Sequence, residues 1–533
     1  MKVQYVRNQQ YNNSYYSDKQ QPSFGNFANM GSALTTGFAQ FLRFLDTNQA
    51  WGATAVDFSC MVAPRTITDF GRGVDAGTET LRREASGTVN HAFVGLVYGP
   101  LAGMLVATAL NGKYGIKAHK IFADSDAINV LSKIQYDSIV KNNGVTNLSD
   151  YASNVASSIS DKNGKHLSSK AQEDFAKTLM KEVTTSSDDN SSMLRNIVLS
   201  DLGSESDIIL KTDDKHIKAS LGDIIDNVTT MSRTLFKDKV VNSFKEATSF
   251  ADVKFVKELK QVGLKRSIVG LAIASAIGCA TQPINVYLTK KKTGSDGFVG
   301  VEGREKDTSF KFKLKKVLTA TAFGAGVYAL MDKPFLKGIQ YKGITPTLNQ
   351  FKLVYGLTIM SRFLATRDSN ELRESTVKDT LGFLSWLVLG NFVQKGTTKL
   401  LSNLYKRKNG IDLKLIGRTR DEVLYSALKK AGISTVKDGK ALSFKELLKL
   451  LPKADKITKT KLRYLNIAQL AGYVFSGTVL GFGIPKLNIY MTKKSEEKRK
   501  ALLAQQQSPA SNMLKPENIA FLNNFTSSQF FNN

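Results

Sequence analysis

The sequence predicts an all-α fold: a polytopic or partly embedded helical membrane protein built from two homologous halves, with a soluble helical insertion in the first half. Three observations carry this reading. Short blocks recur in the same order, three uncharged apolar stretches reach bilayer length, and a large positive charge is concentrated outside one polar segment.

The recurrence sets the boundaries. Lys237-Asp238, four residues and then Ser243-Phe244-Lys245-Glu246 return as Lys437-Asp438, four residues and Ser443-Phe444-Lys445-Glu446, 200 positions on. Asn285-Val286-Tyr287-Leu288-Thr289-Lys290-Lys291 returns as Asn488-Ile489-Tyr490-Met491-Thr492-Lys493-Lys494, with five identities in seven. Upstream, Gly115-Ile116-Lys117 is similar to Gly410-Ile411-Asp412, and Leu81-Arg82-Arg83-Glu84-Ala85-Ser86-Gly87-Thr88-Val89 meets Leu372-Arg373-Glu374-Ser375-Thr376-Val377 once three single-residue gaps are allowed. Asn48-Gln49 and Asn349-Gln350 each precede an apolar stretch. Matches in one order point to internal duplication, which governs how the rest is read.

Taken along the chain, residues 1–29 form a polar arm rich in Asn, Gln, Tyr and Ser, expected to be disordered and lacking the apolar core of a secretory signal. The first repeat, 30–292, carries apolar stretches at about 31–46, 50–63, 92–112 and 267–289. A basic linker, 293–314, leads to the second repeat, 315–494, with stretches at 317–331, 353–366, 380–394 and 464–485. A membrane-crossing helix needs about 20 apolar residues at roughly 1.5 Å each. Ala92–Gly112, Ser267–Thr289 and Tyr464–Pro485 meet that length without a charge. Arg43, Asp57 and Arg362 interrupt others, at a cost of at least about 2.5–3.5 kcal/mol per charge near the bilayer centre, so weak stretches are expected at the interface or re-entrant. The tail from 495 to 533 opens with charges, turns Gln/Asn/Ser-rich, and is expected to be disordered.

Most of the length difference between the repeats lies in the insertion, about 121–240. Its apolar residues recur at mixed three- and four-residue intervals between Ser/Asn/Asp/Gly turns, which predicts a water-soluble helical unit; strand alternation is poor everywhere. Residues 121–250 hold 19 acidic and 15 basic side chains, so with a net charge of +28 for all 533 residues the remainder carries +32. Such a surface seeks phosphate on lipid headgroups or nucleic acid. Lysine clusters at 290–292, 311–316, 405–408 and 458–463 border the apolar stretches without interleaved aromatic platforms, so anionic membrane lipid is the expected partner and nucleic acid is not.

No constellation of catalytic residues is present, and no enzyme activity, metal or cofactor is expected. His91, His119, His166 and His216 lack carboxylate or cysteine neighbours at ligand spacing, Cys60 and Cys279 sit inside apolar segments, and Gly71-Arg72-Gly73 lacks the strand and third glycine of a dinucleotide loop. Two sets of candidate residues remain. Asn285, Tyr287, Asn488 and Tyr490 are candidates for polar residues at a repeat interface; the plainer reading, in which Tyr and Lys anchor helix ends at the membrane surface, is favoured. Gly270, Ala274 and Gly278, at i, i+4 and i+8, are candidates for a helix-packing face whose counterparts are Tyr473, Gly477 and Gly481. Arg82, Arg83 and Glu84, with Arg373 and Glu374, are expected on a solvated helix face.

The function expected from this pattern is that of an internally duplicated integral membrane protein: a pore, a carrier or a membrane scaffold. The alternative is a soluble or peripheral basic helical structural protein binding anionic lipid surfaces or nucleic acid, which the mean hydropathy of −0.19 favours.

Overall fold

The computed structural model describes residues 40–43, 54–55, 57–185, 188–204, 207–212, 216–299, 305–343, 346–384, 390–416, 418–437, 440–442, 444–450 and 456–506. The expected N-terminal arm and most of the first apolar stretch lie outside these residues. What is described is mostly helix, as the sequence predicts.

The chain enters through a π-helical turn, Phe58–Val62, that runs into α1 (Ala63–Phe70), a three-residue connection and α2 (Val74–Phe93). A second π-helical turn, Val94–Tyr98, continues α2 into α3 (Gly99–Val106) and α4 (Thr108–Tyr114). The long α11 (Lys254–Thr293) returns antiparallel to this path, packing on α2 and α3. The later half follows a similar order: α12 (Phe310–Ala329), the short α13 (Phe335–Gly338), α14 (Leu348–Ala365), α15 (Ser369–Leu384) and α16 (Gly390–Asn409), closing with α19 (Lys456–Phe475), a π-helical turn at Ser476–Gly483 and α20 (Ile484–Gln506). The long helices cross over: α11 packs on α14, whereas the π-turn before α20 packs on the π-turn before α1.

Between α4 and α11 come α5 (Ser125–Lys141), α6 (Leu148–Ser157), β1 (Ile159–Ser160), α7 (Ser169–Thr185), α8 (Asp188–Leu202), β2 (Ile208–Lys211), β3 (His216–Ala219), α9 (Leu221–Leu235) and α10 (Asp238–Lys245). Strands are few, in keeping with the poor alternation in the sequence, but β1, β2 and β3 form a small antiparallel sheet in which Ile159 faces Leu210 and Ile208 faces Ala219. Buried side chains on β2 alternate with less buried ones, the period of a half-covered strand too short to register in the sequence. Between α16 and α19 the chain makes α17 (Arg420–Lys430), the hairpin β4 (Val436–Lys437) and β5 (Lys440–Ala441), and α18 (Phe444–Lys449).

The insertion is not a self-contained unit. Its apolar core joins Leu131, Phe175, Leu210 and Val228 to Phe255 of α11 and to Leu415, Leu424, Leu428 and Leu462 of the later half. Polar contacts cross the same boundary, with Lys162 on Glu422 at 3.0 Å and Lys429 donating to the Asp201 carbonyl at 3.4 Å. Helix ends explain two sequence matches: α4 stops at Gly115 (φ +65°) and α16 at Gly410 (φ +68°), a left-handed cap that glycine adopts without the strain a Cβ would bring. The tail expectation needs correction from 495 to 506, where α20 continues through the charged run and Arg499 bonds Glu496 at 2.9 Å.

Three helices are long and apolar enough to cross a membrane: Val74–Val106, Lys254–Thr293 and Lys456–Gln505. They contain the three stretches singled out by length, although the first ends at Val106 because the helix breaks at Ala107.

Candidate functional site: a buried charge network

Where α1, α2, α14 and α15 meet, six carboxylates (Asp69, Glu79, Glu84, Glu371, Glu374 and Asp379) lie among six cations (Arg65, Arg72, Arg83, Arg362, Arg367 and Lys378), all buried except the partly covered Arg72. Close pairing of opposite charges is what allows such a cluster away from water, since an unpaired buried charge is costly; a further buried carboxyl beside it, Asp57, accepts from the Thr88 hydroxyl at 2.6 Å. The pairing is reciprocal. Arg72, in the connection between α1 and α2, makes a two-pronged bond to Glu374 on α15 at 2.6 and 2.8 Å. Arg367, in the connection between α14 and α15, does the same to Glu79 on α2 at 2.6 and 3.3 Å. Both guanidinium groups stack over the Phe298 ring, at 5.4 and 5.7 Å.

Deeper along the helices the pattern repeats. Arg65 of α1 donates to the Lys378 carbonyl at 3.0 Å and Arg362 of α14 to the Arg83 carbonyl at 3.3 Å. Both arginines approach the same two carboxylates, Arg65 at 3.6 Å from Glu84 and 3.7 Å from Asp379, Arg362 at 3.2 and 3.3 Å. Glycine makes the room: a Cβ on Gly87 would sit 3.1 Å from Arg362 Nη2, and one on Gly382 would strike Arg65 Nη2. At the outer edge, burial disfavours the Asp69 charge, but Lys378, the Thr80 hydroxyl and Arg72 outweigh it and hold its carboxyl below the usual range. The cavity left between these groups is about 20 Å³, room for about one water.

The candidate asparagines border this cluster. Asn285 accepts from Arg82 Nε at 3.0 Å and donates to the Glu79 carbonyl at 3.5 Å; Asn488 donates to the Glu374 carbonyl at 3.3 Å. Thr289 accepts from Arg82 at 2.9 Å and Thr492 from Arg373 at 2.6 Å. Each asparagine therefore bonds the adjacent helix, and the two are not brought face to face. Tyr287 and Tyr490 are 64% and 61% exposed and line no internal path. Gly270, Ala274 and Gly278 are all buried. Gly270 lies close to the Tyr98 carbonyl, the Ala274 carbonyl accepts from Asn90 at 2.9 Å, and a side chain at Gly278 would strike the Thr358 hydroxyl.

The expectation of a solvated face for Arg83, Glu84 and Glu374 is overturned: all three are buried, Arg83 pairs with the adjacent Glu84 at 3.0 Å, and the partners of Glu84 and Glu374, Arg362 and Arg72, lie about 280 to 300 residues away in sequence. A signal for this was present. Arg72, Glu79, Arg83, Glu84 and Gly87 recur as Arg367, Glu374, Lys378, Asp379 and Gly382, all 295 positions on and without a gap, as do Gly115 and Gly410. The gapped match through Leu81 and Leu372 is one helical turn out of that register. The match through Ser243 and Ser443 also fails locally: Lys237 caps α10, whereas Lys437 ends β4 and the helix starts only at Phe444.

No known protein family, characterised protein or solved structure matches this chain. Among the described residues no group of histidine, cysteine or carboxylate side chains is arranged to hold a metal ion.

Proposed function

We propose that this chain is an internally duplicated integral membrane protein acting as a membrane scaffold: two like halves lock together through the charge network and hold a helical head, built from both, at one membrane face. The observation that carries the membrane reading is the surface of the three long apolar helices. Met104 and Leu105 are 59% and 63% exposed, Ile284 54% and Val474 53%, side chains that water-facing helices seldom present together. Duplication is supported by the contacts that recur at a constant offset with their partners exchanged between halves. Parallel halves are supported by the contacts between them: Arg72 and Arg367 share the Phe298 ring, and one turn or more deeper Arg65 and Arg362 share Glu84 and Asp379, so α2 and α15 run side by side in one direction.

A scaffold fits better than a pore because the charges are mutually neutralised around a cavity of about 20 Å³. Anionic headgroups are the proposed partner of the flanking lysines, each worth about 1 kcal/mol near such a surface. Membrane fractions washed with carbonate test the first part: the chain should stay in the pellet and leave only with detergent, and release by carbonate alone would favour the peripheral alternative. Reconstituted vesicles test the second. No added ion leak is expected, and a leak that disappears on changing Glu84 would replace the scaffold with a conduction path.

A further inference from the structure

The two crossed seams are not equally closed. Where α11 lies on α14, Ser361 Oγ donates to the Cys279 carbonyl at 2.6 Å, Cys279 Sγ approaches the Leu357 carbonyl at 3.6 Å, and Gly278 abuts Thr358. The corresponding stretch of the other seam is the π-helical turn Ser476–Gly483, a wider helix than α. Gly481 still abuts Cys60 and Pro64 there, but beyond it the seam parts into an open cleft of about 320 Å³. Its walls are Ile67, Thr68, Gly71 and Arg72 on one side and Phe482, Lys486 and Ile489 on the other.

We infer that this cleft holds one anionic phospholipid, with the phosphate on Lys486 and the upper part of an acyl chain against Ile67, Phe482 and Ile489. The inference rests on the membrane reading above and adds a defined site to it. Chemistry selects the occupant. Among the described residues no acidic side chain lines the cleft, Arg72 is already committed to Glu374, and Lys486 is exposed and forms no ion pair. Lys486 lies four residues, about 6 Å along a helix, before the exposed Tyr490 that marks the expected interface. That is the depth of a lipid phosphate and glycerol region, where a lysine reaches outward along an apolar wall. Ile67, 62% exposed, supplies that wall. The volume is at the lower end for small-ligand sites, roughly 300–1,000 Å³, which suits a headgroup and the start of a chain whose remainder stays in the bilayer. In the common register Lys486 corresponds to Pro283, so the charge belongs to the open seam alone.

The test is native mass spectrometry of the full chain, stripped of lipid in detergent and then offered phosphatidylglycerol or phosphatidylcholine. One phosphatidylglycerol should be retained in clear preference to phosphatidylcholine. Lys486→Gln should weaken retention about fivefold, Ile67→Trp should abolish it by filling the cleft, and Lys493→Gln, outside the cleft, should leave it unchanged. Inorganic phosphate should not compete, which separates a lipid from a free anion. Equal retention of both lipids, retention indifferent to Lys486→Gln, or competition by phosphate overturns the proposal. A chain that resists carbonate but gives any of these results loses the cleft and keeps its place in the membrane.

Discussion

The seam of α11 on α14 and the seam of α20 on α1 are formed by helices anchored alike, α11 on α2 and α20 on α15, but packed differently. Each long helix offers an asparagine to a main-chain carbonyl and a threonine to an arginine on the neighbouring helix, Asn285 and Thr289 in one, Asn488 and Thr492 in the other. Those directional bonds fix the helix in rotation and in height. Gly278 and its counterpart Gly481 are both crowded, but packing diverges one turn away: Ala274 is fully buried, whereas its counterpart Gly477 is half-buried, with only the Cys60 sulfur at 4.0 Å from where a Cβ would stand. The comparison teaches that the shared frame is polar and the difference is steric, so substitutions at the two kinds of position should have opposite patterns.

The largest effects belong to the frame. Glu84→Ala or Asp379→Ala strands Arg65 and Arg362 in a buried site and should each destabilise by about 3–5 kcal/mol in detergent unfolding. If one is severe and the other silent, the equivalence of the halves is broken. A double-mutant cycle on Arg72 with Glu374, set beside one on Arg367 with Glu79, sharpens the point: similar coupling energies are expected. Next comes the head. Leu424→Ala should cost about 2–5 kcal/mol although it lies outside the insertion, and residues 121–240 expressed alone should lack a cooperative thermal transition in circular dichroism, because their core is completed by the later half. Independent folding of that segment would restore it as a separate unit.

Smaller effects distinguish the seams. Ala274→Leu and Gly278→Ala should each cost about 1–3 kcal/mol by overpacking. Gly477→Ala should be neutral or stabilising by up to about 1 kcal/mol, since the added methyl meets open space and alanine loses less backbone freedom. Equal losses at Ala274 and Gly477 would contradict the difference between them. The smallest effect is a pH dependence in the head. Burial opposes the charge on Asp201, but the Ser168 N–H, Lys165 and Lys429 prevail and lower its pKa. A lowered carboxyl stabilises above its unfolded value, about 3.9, and that contribution is lost as pH falls through the folded value. Asp201→Asn should therefore lower Tm slightly at pH 7 and converge on the parent in acid.

Helix content and the three long apolar helices were legible because length and absence of charge are local properties. The match of Gly115 with Gly410 was legible as a short local block, and the structure makes both glycines helix ends, whereas the Asn-x-Tyr-x-Thr-Lys-Lys block ends a helix only in its first copy, the second lying within α20. Burial of Arg65 was not legible, since it depends on partners from helices hundreds of residues away, and Arg72, Glu79, Arg367 and Asp379 were announced only by the ungapped 295-residue register, not by anything adjacent in sequence. Strands of two to four residues escaped for want of enough positions to alternate. The shared core of the head escaped because Leu424 and Leu428 read as the apolar face of any short helix.

The exchange of partners between the two connections has a consequence for how the protein is made. A ribosome that has reached residue 300 has already delivered Arg65, Arg72, Glu79 and Glu84, while Arg362, Arg367, Glu374 and Asp379 are still to be translated. In the proposed membrane setting the early helices cannot settle in lipid with those charges bare, so they must wait in a hydrated or chaperoned state until the later connection emerges. A nascent chain stopped before Arg367 should accordingly remain bound to the insertion machinery, and release should coincide with the arrival of its missing counter-ions.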